Sequence, residues 1–276
     1  MSEGLQDLRI GFIGAGAMAS ALAGGLVAAG IGRDRICAGD PDAGCRKAFG
    51  EAVGAATHNN NDAVVADSDV IVLAVKPSVV ERALGDFDTS ASNNLTDKLW
   101  VSIAAGISIS AIETRLPDGA RVVRAMPNTP ALARSGATAF VANTTATDDD
   151  RAAARELFEA VGYTWEANTE AQLDAVTGLS GSGPAYVFLF LEALGDAGVR
   201  AGLPRDAAYE LAFHTVRGAA QLAIESGRHP AALKDQVTSP GGTTIAGLER
   251  LEAGGVRAAL HEAVAAATRR SRDLGR

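Results

Sequence analysis

Apolar and polar positions follow two different rhythms along this chain, and the change falls near residue 166. Before it, short β-rich runs alternate with helical periods. Residues 9–13 form a short β-rich run ending in glycines, 19–29 read as a small-residue helix stopped by Gly30, and 35–39 read as a second strand. Residues 70–75 (VIVLAV) are almost unbroken apolar, the pattern of a strand covered on both faces of a parallel sheet. Further strands are expected at 100–104, 121–125 and 138–141, with helices at 78–84 and 110–116 between them. Residues 148–161 start acidic, carry Leu157, Phe158 and Val161, and are expected to close at Gly162 as a helix. Such alternation predicts an α/β fold, a doubly wound parallel sheet.

Beyond residue 166 the β-rich runs vanish and helical periods take over. Pro184 and Pro204 each stand where a helix should open, and the stripe through Leu211, Thr215 and Leu222 should stop at Gly227. Residues 243–251 and 256–273 complete the set. The expected division is therefore an α/β domain over 1–166 and an all-α domain over 167–276. Small residues such as Gly195, Gly198 and Gly218 permit close helix contacts. The wide apolar stripes fit packing within this domain and equally fit burial against another subunit.

Composition narrows the class. With 276 residues, 47% of them hydrophobic, the chain can bury a sizeable core. A formal net charge of −8 leaves no electrostatic footprint for nucleic acid or an anionic membrane surface, so neither is expected as a partner. The two cysteines, Cys37 and Cys45, have no CxxC spacing and no histidine cluster beside them, and read as reduced thiols. The N-terminus lacks the basic start and apolar run of a signal peptide, and residues 185–191 fall far short of the ~20 apolar residues of a membrane span. A cytoplasmic protein is expected.

The first chemical signal is Gly14-Ala15-Gly16-Ala17-Met18-Ala19, which fits G-x-G-x-x-[GA] after a strand and at the opening of a helix. Gly14 allows the tight turn, Gly16 lets the backbone approach a pyrophosphate, and Ala19 is small enough for the helix to pack on the strand. The free N–H groups at the helix start then hold the phosphates of a dinucleotide. Asp40 ends the second strand 24 residues after Gly16, where an acid accepts from a ribose 2′-OH and favours NADH. It also suits a plain Asp-Pro-Asp turn, and Arg46 and Lys47 nearby could accommodate a 2′-phosphate. Val75, Lys76 and Pro77, and then Ser102, Ile103 and Ala104, end two further strands at the edge where a cofactor crevice forms.

A second glycine-rich stretch, Ser239-Pro240-Gly241-Gly242-Thr243-Thr244, lies in the helical region before a helix start. Thr243 or Thr244 is expected to cap that helix, and the run of donors suits a carboxylate. The four histidines, His58, His214, His229 and His261, form no metal-ligand pair, and no G-x-S-x-G elbow is present. The chemistry is therefore expected to come from a cofactor, with no metal.

These residues carry a family likeness. IGFIGAGAMA (10–19), AVKP (74–77), SIAAG (102–106), RAMPNTP (124–130), GLSGSGPAY (178–186) and the long HPAALKDQVTSPGGTTIAGL (229–248) resemble pyrroline-5-carboxylate reductases over essentially the whole length. The resemblance implies a Rossmann domain followed by a helical domain that interlocks two subunits, with rings of such dimers in some members. It implies reduction of 1-pyrroline-5-carboxylate to L-proline with NADPH or NADH, the last step of proline biosynthesis. By motif position, cofactor contacts fall on Gly14 to Ala19, Asn61, Val75 to Pro77 and Ser102 to Ala104. Substrate contacts fall on the loop from Ser239 to Thr244, with the Thr244 hydroxyl at the ring nitrogen as the catalytic group. Members often carry a small hydroxyl residue where Asp40 stands and many prefer NADPH, so Asp40 pulls against the family preference. Two other readings compete: a hydroxyacid dehydrogenase of similar build, which would usually need a lysine where residues 186–199 have none, and a non-catalytic dinucleotide sensor, which would have no use for the SPGGTT donors.

Overall fold

A computed structural model describes residues 4–85 and 95–275. Eight strands form one sheet in the order β3-β2-β1-β4-β5-β6-β7-β8. They are β1 (Ile10–Ile13), β2 (Ile36–Gly39), β3 (Ala56–His58), β4 (Val70–Leu73), β5 (Leu99–Ser102), β6 (Arg121–Met126), β7 (Gly136–Ala142) and β8 (Gly162–Glu166). The first six run parallel, as the alternating pattern predicts. β7 departs from the expected parallel sheet by running antiparallel to β6. The connection between them is one short 3-10 turn, Thr129–Ala133, and a parallel crossover needs a dozen or more residues.

Helices cover both faces. They are α1 (Ala17–Ala28), α2 (Ala43–Val53), α3 (Asn61–Ala66), α4 (Pro77–Gly85), α5 (Ile109–Glu113), α6 (Asp148–Glu159) and α7 (Ala171–Val176). Alternate strand residues feed two cores. Phe12, Val72, Val101 and Val123 pack with Leu22 and Leu26 of α1, Phe49 of α2 and Leu157 and Phe158 of α6. Ile71, Leu73, Trp100 and Val122 pack on the other face with Val64 and Val65 of α3, Ile112 of α5 and Leu173 of α7. Double coverage is why the 70–73 run carries no polar alternation. The α6 capping box joins Thr147 and Asp150, but Ala160 ends the helix, and Gly162, expected as the stop, already begins β8.

Five helices follow: α8 (Gly183–Arg200), α9 (Arg205–Ser226), α10 (Pro230–Gln236), α11 (Thr243–Ala253) and α12 (Val256–Leu274). Pro184 lies in the first turn of α8, and Gly227 in the left-handed region (φ 61°) ends α9 as the pattern requires. The chain divides into two compact units, Met1–Ser182 with Ala266–Arg276, and Gly183–Ala265. The last strand does end at Glu166, but α7 packs with the sheet and with the end of α12. Leu173 is fully buried in the second core, and Glu170 pairs at 2.6 Å with the buried Arg124 of β6. Glu170 also accepts from the Ile109 N–H at the start of α5. The end of α12 belongs to the same unit, where the buried Ser271 hydroxyl donates to Asp174 at 2.7 Å.

Candidate active site

Register builds the first part of the site. Ile13 lies opposite Gly39 on one side and Leu73 on the other, so Gly14, Asp40 and Ala74 leave the sheet side by side. The Gly14 N–H donates to the Gly39 carbonyl at 2.7 Å, and the Ala74 N–H donates to the Ile13 carbonyl at 2.8 Å. Gly14 has φ 99°, and a Cβ there would stand 2.8 Å from the Ala74 oxygen, so the turn requires glycine twice over. Gly16 is different. Its φ is −77°, ordinary for any residue, and a Cβ would meet nothing within 4 Å. The open space beside Gly16 is therefore outside the protein's own packing. Gly16 is the N-cap of α1 and no side chain caps the helix, so Ala17, Met18 and Ala19 open it with N–H groups available to an anion.

Asp40 is committed to this turn. One carboxylate oxygen accepts the Ala15 N–H at 3.0 Å and the other accepts the Asp42 N–H at 2.9 Å. Arg46, on the first turn of α2, donates to the Asp40 and Pro41 carbonyl oxygens at 2.6 and 3.0 Å. The acid expected to read a ribose thus also braces the glycine turn. Its charge is the main cause that pushes the Cys45 thiol up, and burial pushes the Cys37 thiol up, so neither of these free cysteines has thiolate character.

A crevice of about 390 Å³ opens beside the turn, lined by Gly14, Asn60, Asn61, Val75, Val79 and Arg82 among others. Asn60 caps α3 by accepting the Ala63 N–H, and Asn61, the first residue of that helix, donates its amide to the Ala83 carbonyl at 3.3 Å. Lys76 is exposed and Pro77 opens α4. At the next strand end, Ser102 is fully buried and its hydroxyl accepts the Ala104 N–H at 3.3 Å, while the Ile103 N–H donates to the Leu73 carbonyl at 3.2 Å. The carboxyl ends of β2, β1, β4 and β5 thus set the expected cofactor residues along one sheet edge. Asn60, Val79 and Arg82 escaped the sequence reading. The only available signal was the Asn59-Asn60-Asn61-Asp62 run as a helix start, and the three-residue strand before it is too short to announce itself.

The second glycine-rich loop lies in the helical unit. Gly241 has φ 64°, which favours glycine, and the Ser239 hydroxyl tucks against Gly242, where a Cβ would stand 2.3 Å from it. The expected threonine cap does not form. Gly242 itself is the N-cap of α11, with extended φ and ψ and no side-chain cap bond, because the helix begins at Thr243 and both threonines lie inside its first turn. Thr243 is exposed and Thr244 half-buried. A crevice of about 480 Å³ flanks the loop, lined by Lys234, Gly241, Gly242, Ile245 and Glu249 among others. Among the described residues no cluster of three His, Cys, Asp or Glu side chains could hold a metal ion, and no helix is long and apolar enough to cross a membrane.

The helical unit carries a heavy load of exposed apolar side chains. Phe188, Leu189, Phe190, Leu211, Phe213 and Ile224 are all more than two-fifths exposed, whereas its fully buried residues are chiefly Gly195, Ala208 and Ala212. Helices bearing large apolar residues outward have the texture of a core cut in half.

Comparison with known proteins agrees with this division. Residues 170–274 match the family model described as pyrroline-5-carboxylate reductase dimerisation, and residues 9–106 match one described as NADP oxidoreductase, coenzyme F420-dependent. The chain is 46% identical to a pyrroline-5-carboxylate reductase of Arabidopsis thaliana over 98% of its own length and 96% of the relative's. It is 43% identical to that of Methanosarcina acetivorans over 99% and 100%. Its fold matches the solved pyrroline-5-carboxylate reductase of Coxiella burnetii with a TM-score of 0.91 and 38% identity, covering 98% of this chain and 99% of that one. The Plasmodium falciparum pyrroline carboxylate reductase, solved with NADP bound, matches with a TM-score of 0.87 and 32% identity over 99% and 100%. A likeness of this depth over both units means that the chain belongs to the pyrroline-5-carboxylate reductase family.

Proposed function

We propose that this protein reduces 1-pyrroline-5-carboxylate to L-proline with NADH or NADPH, as a cytoplasmic enzyme of proline biosynthesis. The observation that carries the reading is that each unit bears an uncapped helix N-terminus behind a glycine-rich turn, in a chain whose relatives, matched over nearly their whole length, bear this activity in their names. The α1 turn suits a pyrophosphate: the space beside Gly16 is open, and Asp40, Asn61 and the Val75 crevice lie next to it. Bound there, a dihydronicotinamide supplies a hydride. Val75, Lys76, Pro77, Ser102, Ile103 and Ala104 are assigned to its ribose and nicotinamide half.

The α11 turn is assigned to the substrate carboxylate. Ser239 and Thr243 contribute hydroxyls, Gly241 and Gly242 form the turn that bares the α11 N–H groups from Thr243 onward, and the helix end favours negative charge. The Thr244 hydroxyl is assigned to the ring nitrogen. It donates there and accepts from water through its lone pairs. A hydroxyl is too weak an acid to protonate the imine outright, so the proton that completes the amine comes from solvent and Thr244 orients the ring. An imine with a hydrogen-bonded nitrogen accepts hydride at C5 without further acid. The work of the protein is then orientation, which supplies up to ~7–11 kcal/mol in well-aligned reactions.

The reading includes a homodimer formed through the helical domain, 167–276, with rings of dimers as the larger assembly. Asp40 is assigned to the ribose 2′ position, where its charge leans the choice towards NADH. The test of the substrate assignment is Thr244→Ala. Loss of one buried hydrogen bond, ~1–3 kcal/mol, lowers kcat/KM roughly ten- to a hundredfold with NADH binding intact. Thr244→Ser keeps most activity. If Thr244→Ala lowers only the melting temperature and leaves turnover per folded molecule unchanged, Thr244 serves the helix rather than the substrate.

A further inference from the structure

The crevice beside the α1 turn holds a charge that the cofactor assignment leaves unused. Among the described residues that line it, Arg82 is the one cation. Arg82 stands on α4, where Val79, Arg82 and Ala83 lie three and four residues apart and share the face turned to the crevice, while Val80 and Leu84 are buried in the second core. Asn61 holds that face in place. Its side-chain amide donates to the Ala83 carbonyl at 3.3 Å and ties the start of α3 to the last turn of α4. Arg82 itself is exposed and has no hydrogen-bond or ion-pair partner among the described residues. Its planar guanidinium is thus left with the paired donors that suit a phosphate.

The end of β2 indicates which phosphate. Gly39 and Pro41 line the same crevice, and the carboxyl end of the second strand is where the adenosine ribose of a dinucleotide is read. An acid there takes the 2′-OH of NADH, and an arginine nearby takes the 2′-phosphate of NADPH. The cations next to Asp40 in sequence are placed otherwise. Arg46 donates to the Asp40 and Pro41 carbonyl oxygens at 2.6 and 3.0 Å, and Lys47 pairs with Glu51 at 3.8 Å along α2; neither lines the crevice. Asp62 also lines it and has a partner, which is not Arg82.

We propose that Arg82 is the residue that admits NADPH: its guanidinium pairs with the 2′-phosphate at the adenosine end of the crevice and offsets the repulsion from Asp40, and it takes no part in holding NADH. The proposal rests on the assignment of the α1 turn to the dinucleotide. Asp40 and Arg82 then act on one cofactor ratio in opposite directions, and the chain uses both cofactors.

The test measures kcat and KM for NADPH and NADH in the purified protein, the dissociation constants of NADP+ and NAD+ by calorimetry, and the melting temperature. Arg82→Gln is the informative variant, since glutamine is a good helix former and removes the charge from an exposed position. The expected result is a loss of roughly tenfold in kcat/KM and in affinity for the phosphorylated cofactor, the lower end for a hydrogen bond to a charged group, with the values for NADH and NAD+ within about twofold of wild type. Arg82→Lys keeps the charge and retains most of the NADPH activity, and it stands in if Arg82→Gln does not fold: its NADPH-to-NADH ratio then exceeds that of Arg82→Met, a neutral side chain of similar reach. The proposal is overturned if the ratio does not move when the charge is removed, if NADH and NADPH fall together, or if the wild-type protein binds NADH and has no measurable affinity for NADPH. Failure of the wild-type protein to bind either dinucleotide, by contrast, overturns the assignment of the α1 turn beneath it.

Discussion

At the scale of single residues, the two glycines of the α1 turn are required for different reasons, and this separates stability from binding. Gly14 needs a positive φ and has no room for a Cβ, so Gly14→Ala strains the native turn and lowers the melting temperature. Gly16 has neither constraint. Gly16→Val is expected to fold with no more than the cost of a poorer N-cap, about 1 kcal/mol, and to lose dinucleotide binding because its side chain fills the space beside the turn. Calorimetric titration with NADH alongside thermal melts checks both; retained affinity in a folded Gly16→Val protein would contradict the assignment of this turn. Asp40→Ser is expected to shift the ratio of kcat/KM for NADPH over NADH upwards by removing the charge. It also removes two acceptors from the turn, so absolute NADH affinity falls as well. An unmoved ratio would make Asp40 a brace only. Gly14 was legible as a turn residue because the backbone demands it, and Asp40 as the acid at the strand end, whereas Gly16 rests on the motif alone. Asn61 was picked out only by the family likeness, and Asn60 and Arg82, which line the crevice beside the turn, not at all, because residues brought to a crevice by the fold leave no local pattern.

At the scale of elements, the buried strands were legible and the marginal ones were not. β1, β4 and β5 are apolar on both faces, whereas β3 has three residues and β8 is an edge strand with Tyr163 and Trp165 exposed. β8 was also masked by Gly162, whose position after a helix looks like a stop. α7 is the instructive case. Its six residues are too few for a periodic signal, yet Leu173 completes a core and Glu170 neutralises Arg124, which is only 8% exposed. Glu170→Gln keeps an acceptor for the Ile109 N–H but removes the charge. Leaving the buried guanidinium uncompensated is expected to cost about 3 kcal/mol, read as a lower urea midpoint with an unchanged slope. A loss below about 0.5 kcal/mol would place the pair among ordinary surface ion pairs. The same pair explains why the sheet unit extends past residue 166: a fragment 1–166 lacks Glu170 and Leu173.

At the scale of the whole molecule, the helical unit exposes Phe188, Leu189 and Ile224, large apolar side chains that a single chain would leave in water. The matched dimerisation model and these side chains together mean association with another copy through that unit. Sedimentation at micromolar concentration is expected to show no monomer, and Phe188→Glu, which places a charge in the apolar face, is expected to dissociate it. A monomeric wild-type protein would contradict this. The sequence made the helical texture visible but left two destinations for its apolar stripes, because periodicity records which side of a helix is apolar and not which surface covers it. The reaction itself is tested by incubating the purified protein with 1-pyrroline-5-carboxylate and either NADH or NADPH, and following cofactor oxidation and proline formation together. The expected result is proline formed in step with cofactor oxidised, faster with NADH, and no oxidation without the imine; absence of proline with both cofactors would contradict it.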